Sequence, residues 1–237
     1  MKNVIIYNKN IGETPLECLE RVRIENGIDS DVPMTYAGRL DPLAEGQMIF
    51  LIGDECKNKE KYTGLDKEYE IEILFGFSTD SYDVLGIIDE FEINEINKIK
   101  EIGEINLNKY ICKFEQKYPR YSSKVIAMKE LPEEMPSKEV EIYSIENLGK
   151  REIKGSELIK QILGKISLVK GDFRQKEITA HWSSISQDIH DSYFTILKLR
   201  VRCSSGTYMR SLAHKIGEDM DIPALAFSIK RLSIKAN

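Results

Sequence analysis

No cysteine in this chain has a partner at disulfide or metal-ligand spacing. Cys18, Cys56, Cys112 and Cys203 lie tens of residues apart without a CxxC or CxxH pair. That argues against a zinc site and a disulfide framework, and the four read as reduced, mostly buried thiols. Histidine is scarce: His181, His190 and His214 have no Cys or His neighbour at ligand spacing, so no metal is expected. No apolar run approaches the roughly 18 residues that cross a bilayer. The opening MKNVIIYNKN has a short apolar stretch and no small-residue cleavage site, so a cytoplasmic protein without a secretory leader or membrane is expected. The one tryptophan, Trp182, reads as helix packing. Surplus positive charge is missing too. The net charge is -5 and the pI about 5.5, which excludes holding nucleic acid by bulk electrostatics alone.

What is present is a chain of 237 residues, 41% apolar and 31% charged, the size of one large domain or two small ones. Charge is unevenly placed. Residues 151–237 carry 15 Lys and Arg against 9 Asp and Glu, and residues 1–150 carry 19 against 30. A basic C-terminal part beside an acidic N-terminal part is compatible with an RNA-facing side and equally with lopsided helix faces.

Strand patterns fall at Val4–Tyr7, Met48–Ile52, Tyr69–Phe75, Gly86–Phe91, Glu139–Ile145 and Phe194–Val201. Thr14-Pro15-Leu16-Glu17 is a capping box with proline at N1, predicting a helix to about Glu25. Helical spacing recurs at Ile93–Ile102, Ser156–Ile166 and Gln175–Trp182, and Thr207 or Ser205 is predicted to cap a helix running to about Asp219. Residues 29–46 read as a turn-rich loop. Without repeats, low-complexity linkers or a steady βαβ beat, the class is α+β with a mixed, mostly antiparallel sheet flanked by helices.

Two segments carry the chemistry. In Tyr36-Ala-Gly-Arg-Leu-Asp-Pro-Leu-Ala-Glu-Gly46, Asp41 sits between Leu40 and a backbone-restricting proline, followed by a strand, so the acid is held rigidly rather than solvated. Alone, an Asp-Pro in a loop is most simply a turn former. In Cys203-Ser-Ser-Gly-Thr-Tyr-Met-Arg210 a small-residue turn opens a helix with Tyr208 and Arg210 in its first turns. A cation there opposes the helix dipole and calls for an acid partner or a phosphate.

Together these segments resemble the TruB family of pseudouridine synthases. The matching blocks are Lys9 after the opening strand, Gly38-x-Leu-Asp-Pro-Leu-Ala-x-Gly46, Asp66-Lys-x-Tyr69, Thr79-Asp-x-x-Asp83-x-x-Gly86, Gln116-x-x-Pro-x-Tyr-Ser122 and Ser205-Gly-Thr-Tyr-x-Arg-x-Leu212, with the tail Pro223–Leu232. Six blocks in family order cover nearly the whole chain. The resemblance implies the pseudouridine synthase fold and isomerisation of a uridine, conventionally position 55 in the T loop of tRNA, without cofactor or metal. It makes Asp41 the catalytic aspartate, Tyr69 the tyrosine that stacks on the flipped uracil, and Arg210 the arginine paired with the carboxylate. Lys9, Tyr36, Gly38, Arg39, Leu40 and Tyr208 fall at substrate-binding positions. The T arm of tRNA is the implied partner, and a monomer is expected.

The sequence departs from the family at several points. Tyr36 stands where the family usually has histidine, and tyrosine stacks and donates a hydrogen bond but carries no positive charge. The loop after Lys124 that grips the T arm is shortened to Val125–Lys138. Residues 154–187 are expected to form a helical insertion in a catalytic domain spanning 1–237, and the C-terminal PUA domain that many members carry is not expected. Lys170, Arg174 and Lys176 of the insertion, with Lys124, are candidate RNA contacts, and a structural helical hairpin is the competing reading. A synthase acting on another RNA and a non-catalytic RNA-binding chaperone remain the alternative functions.

Overall fold

The Thr14 capping box forms as its spacing predicts: the Thr14 hydroxyl accepts from the Glu17 backbone, and the Glu17 carboxylate accepts from Thr14 N–H. The computed structural model describes residues 3–93, 105–122 and 134–235. Its elements are β1 (Val4–Lys9), α1 (Pro15–Glu25), β2 (Met34–Ala37), β3 (Ala44–Ile52), α2 (Lys59–Thr63), β4 (Asp66–Phe75), β5 (Phe77–Thr79), β6 (Ile88–Phe91), β7 (Lys113–Lys117), β8 (Ser137–Lys154), α3 (Gly155–Leu168), α4 (Gln175–Ser184), β9 (Tyr193–Cys203), α5 (Met209–Glu218) and β10 (Ala224–Lys235). The helical pattern at 93–102 lies, beyond Ile93, outside the described residues.

Eight strands form one sheet in the order β1-β3-β10-β4-β9-β8-β7, with β2 on β3 and β5–β6 as a separate hairpin. The sheet is mostly antiparallel; β3 and β10 pair in parallel over Ala44–Gly46 and Ile229–Arg231. The sheet has a core on each face. Tyr69, Ile71 and Ile73 of β4 pack on α1 and on Leu212, Ala213 and Ile216 of α5. One residue out of phase, Leu74 joins Phe194, Ile196 and Phe227 under Leu158, Ile162, Ile178 and Trp182 of α3 and α4. Period-two alternation therefore sends β4 to two cores. Residues 154–187 fold as a helical hairpin with its own apolar face, and Trp182 is buried in it, donating to the Val84 carbonyl at 3.2 Å.

Three expectations change. The turn-rich 29–46 stretch contains β2, whose four residues are too few for a periodic signal. The strand foreseen at Glu139–Ile145 runs on to Lys154 along β9. Neither Ser205 nor Thr207 caps α5: the Thr207 hydroxyl turns back to the Ser204 carbonyl, and the Gln116 side chain accepts from Tyr208 N–H, so the helix starts at Met209. All four cysteines are free; Cys18 and Cys203 are buried and Cys112 is exposed. Among the described residues no helix is long and apolar enough to cross a membrane.

Candidate active site

The loop with Asp41 gets its place from how β3 shares its edges. β1 covers one edge over Gly46–Leu51, so β2 and β10 must follow one another along the other. The chain between β2 and β3 arches over the junction where β10 gives way to β2. Gly46 has φ +108, and a Cβ there would lie 2.2 Å from the Arg231 carbonyl, so only glycine lets β10 approach this closely. The arch is pinned from behind: Gly12 N–H and the Lys9 ammonium both donate to the Pro42 carbonyl, at 2.8 and 3.1 Å.

Asp41 stands one-third exposed at the arch. Arg210, at the second position of α5 and 3% exposed, donates from Nε to Asp41 Oδ2 at 2.8 Å and from Nη1 to the Ser81 carbonyl at 2.7 Å. Buried Asp83 lies 3.6 Å from Arg210 Nε and accepts from the Ser81 hydroxyl and Leu85 N–H. These two carboxylates are the acid partners that a cation at a helix N-terminus requires. Burial works against the Arg210 cation, but Asp41 and Asp83 outweigh it and hold its pKa above the ordinary value. Burial pushes the Asp83 carboxyl up, with Arg210 pulling the other way.

A cavity of about 540 Å³, in the usual range for small-molecule sites, opens on Asp41. It gathers Tyr36, Gly38, Arg39, Leu40, Tyr69 and Tyr208 of the sequence-predicted residues. Tyr69 is buried opposite Arg231 of β10 in register; burial pushes its phenol up, and the Arg231 cation opposes the shift. Tyr208 meets Tyr118 edge-on at 5.6 Å between ring centroids. Tyr36 lies between two cations, with Arg39 and Lys59 at 5.9 and 5.4 Å from its ring centre, and its hydroxyl accepts from Arg39. The charge lost with the histidine is thus present next door.

Sequence reasoning missed several residues. Lys59, Lys67 and Arg231 also line the cavity, so four cations with Arg39 face one acid, Asp41. Burial brings the Lys67 ammonium down to about 8. Asp83, otherwise one member of a motif block, closes the arginine pairing; its spacing from Asp80 and Gly86 was the available signal.

Other predicted residues fall elsewhere. Lys9 is 1% exposed and spends its donors on the Asn10 and Pro42 carbonyls, so it fixes the arch and does not line the cavity. Arg174 is bound to Asp80, while Lys170 and Lys176 are exposed. Lys124 lies outside the described residues. A larger cleft of about 770 Å³ between β7 and α5 includes neither Asp41 nor Tyr69. Among the described residues no group of three His, Cys, Asp or Glu side chains could hold a metal ion.

The chain is 26% identical over 231 residues to the tRNA pseudouridine synthase B of Borreliella burgdorferi, covering 97% of this chain and 68% of that protein. It is 27% identical to that of Aquifex aeolicus, covering 99% and 69%, and 29% identical to that of Bacteroides thetaiotaomicron, covering 91% and 78%. Its fold is similar to a chain in the crystal structure of a Cbf5-Nop10-Gar1 complex, with TM-score 0.55 at 17% identity. That match covers 98% of this chain, which spans about half of the other's length, 48%. Residues 32–173, more than half of the chain, match the family described as TruB family pseudouridylate synthase (N terminal domain). On that match the chain belongs to the TruB family of pseudouridine synthases.

Proposed function

We propose that this chain isomerises uridine to pseudouridine in the T arm of tRNA, at the position conventionally numbered 55, and that residues 1–237 form one catalytic unit with 154–187 inserted. One observation carries the reading: Asp41 is held by a buried arginine through Oδ2 at the edge of a cavity that Tyr69 also lines. Among the described residues no hydrogen bond engages Asp41 Oδ1, which leaves that oxygen for a substrate.

Asp41 initiates scission of the glycosidic bond, by attack on the sugar or by removing a sugar proton. The uracil turns, C5 bonds to C1′ in place of N1, and the proton leaving C5 is replaced by one on N1. Atoms balance without redox change or cofactor. Arg210 orients the carboxylate, and Tyr69 offers a stacking platform that offsets the lost stacking of an extruded base and is placed to assist proton removal at C5. Tyr36, Arg39 and Lys59 at the mouth, with exposed Lys170 and Lys176, meet phosphates. This local charge answers the acidic balance of the whole chain.

The test is tritium release from uracil C5 in a T-arm stem-loop, followed by pseudouridine mapping of tRNA and ribosomal RNA from cells with and without the gene. Release from the stem-loop, with the tRNA site lost in the deletion, is expected. A lost site in ribosomal RNA with tRNA unchanged would transfer the activity to another RNA, and no change anywhere would leave a binding protein.

A further inference from the structure

A bidentate attachment of residues 154–187 leads to the catalytic pairing. Arg174, at the N-terminal boundary of α4, has φ 62, a left-handed conformation that a non-glycine residue keeps only when its surroundings enforce it. The enforcing contacts are visible. Its Nη1 and Nη2 donate to Asp80 Oδ2 and Oδ1 at 2.8 and 3.3 Å, and its guanidinium lies 4.2 Å from the ring centre of Tyr121. The Tyr121 hydroxyl donates to Asp80 Oδ2 at 3.1 Å. A bidentate guanidinium stacked on an aromatic ring fixes both distance and plane.

Asp80 opens the loop that joins β5 to β6. Its N–H donates to the Ile87 carbonyl and its Oδ1 accepts from Ile87 N–H, so one carboxylate closes the loop and receives the arginine. The next residue is Ser81, whose carbonyl holds Arg210 and whose hydroxyl holds Asp83. A second tie from the insertion, Trp182 Nε1 to the Val84 carbonyl, meets the same loop on its other arm. The loop is therefore clamped between the insertion and α5, and Asp41 lies at the end of the chain Arg174, Asp80, Ser81, Arg210.

We propose that Arg174 is a positioning residue for the reaction: by latching Asp80 it sets the loop that orients Arg210, and through Arg210 the carboxylate of Asp41. Arg174 then acts by bracing this loop rather than by contacting a phosphate. The proposal rests on the functional reading above, and one of its measurements is independent of activity.

Purified Arg174→Ala, Arg174→Lys, Asp80→Asn and the Ala/Asn double variant are compared with wild type in two ways. Hydrogen exchange at Ile87 N–H reads the latch directly. Single-turnover tritium release from a T-arm stem-loop, with KM and salt dependence, reads its consequence. Arg174→Ala is expected to lose protection at Ile87 and about 10- to 100-fold in rate at saturating RNA, as displacement of a catalytic group by about an ångström does. KM and the salt slope stay unchanged, Arg174→Lys recovers part of the rate, and the double variant is no slower than Arg174→Ala, since both changes break one link. Unchanged protection overturns the latch. A loss confined to KM with a flattened salt slope overturns positioning and makes Arg174 a phosphate contact, and fully additive rate losses overturn the coupling. If wild type releases no tritium, the functional reading fails, and exchange at Ile87 still decides whether the latch exists.

Discussion

Replacing Arg210 by methionine keeps the bulk of the side chain and removes the charge that three oxygens use. Asp41 is one-third exposed, so water replaces much of what it loses. Asp83 is 7% exposed and keeps only the Ser81 hydroxyl and Leu85 N–H, and the Ser81 carbonyl is left without its donor. Removing one partner of a buried ion pair costs about 3–5 kcal/mol, and here Asp83 carries most of it. Losing the donor to the Ser81 carbonyl adds about 1 kcal/mol. The variant is therefore expected to unfold about 4–6 kcal/mol more easily in urea at pH 7, and to release tritium at least about a hundredfold more slowly because Asp41 is no longer oriented.

The pH dependence has a definite sign. A carboxyl whose folded pKa lies above its unfolded one contributes its stability in acid and loses it as the pH rises through the folded value. Burial already places Asp83 in that class, and without Arg210 only the hydrogen bonds from the Ser81 hydroxyl and Leu85 N–H oppose the burial. The deficit should narrow between pH 7 and pH 5. Adding Asp83→Asn removes the buried charge and should return about 2 kcal/mol of stability but none of the activity. An Arg210→Met protein within 1 kcal/mol of wild type at pH 7, or a deficit that grows as the pH falls, would refute the reasoning.

Asp41→Asn keeps the shape of the side chain and should abolish tritium release while stem-loop affinity by fluorescence titration stays within about twofold; appreciable turnover contradicts the assignment. Gly46→Ala forces a Cβ against the Arg231 carbonyl at a φ of +108 and should lower stability by about 3 kcal/mol, read as an earlier thermal transition; a silent substitution would mean β3 and β10 are not this close. Arg39→Ala with Lys59→Ala, and separately Lys170→Ala with Lys176→Ala, should weaken RNA binding and flatten its salt dependence by about 0.7–0.9 for each phosphate no longer neutralised, and an unchanged slope excludes the pair from the interface.

Local pattern was enough for whatever neighbouring residues settle among themselves. Thr14 and Glu17 cap α1 within one turn, and alternation along Tyr69–Phe75 marks β4. The motif blocks brought Asp41, Tyr69 and Arg210 into one expectation, and the α+β class followed from strands and helices mixed without a βαβ rhythm. What spacing could not supply was who meets whom. Arg210 and Asp41 are 169 positions apart, Arg174 and Asp80 94, and no periodicity links such pairs; the sheet order brings them together. The same limit bears on two cations. Lys9 falls at a substrate-binding position by resemblance, and nothing in the sequence marks its acceptors, which are backbone carbonyls, one of them 33 positions away. Arg174 reads as an RNA contact from its charge, and its pairing with Asp80 is seen only in the fold. Charge and hydropathy are properties of single residues and were legible; ion pairing and burial depend on which surfaces the fold presses together, and only the tertiary structure decided them.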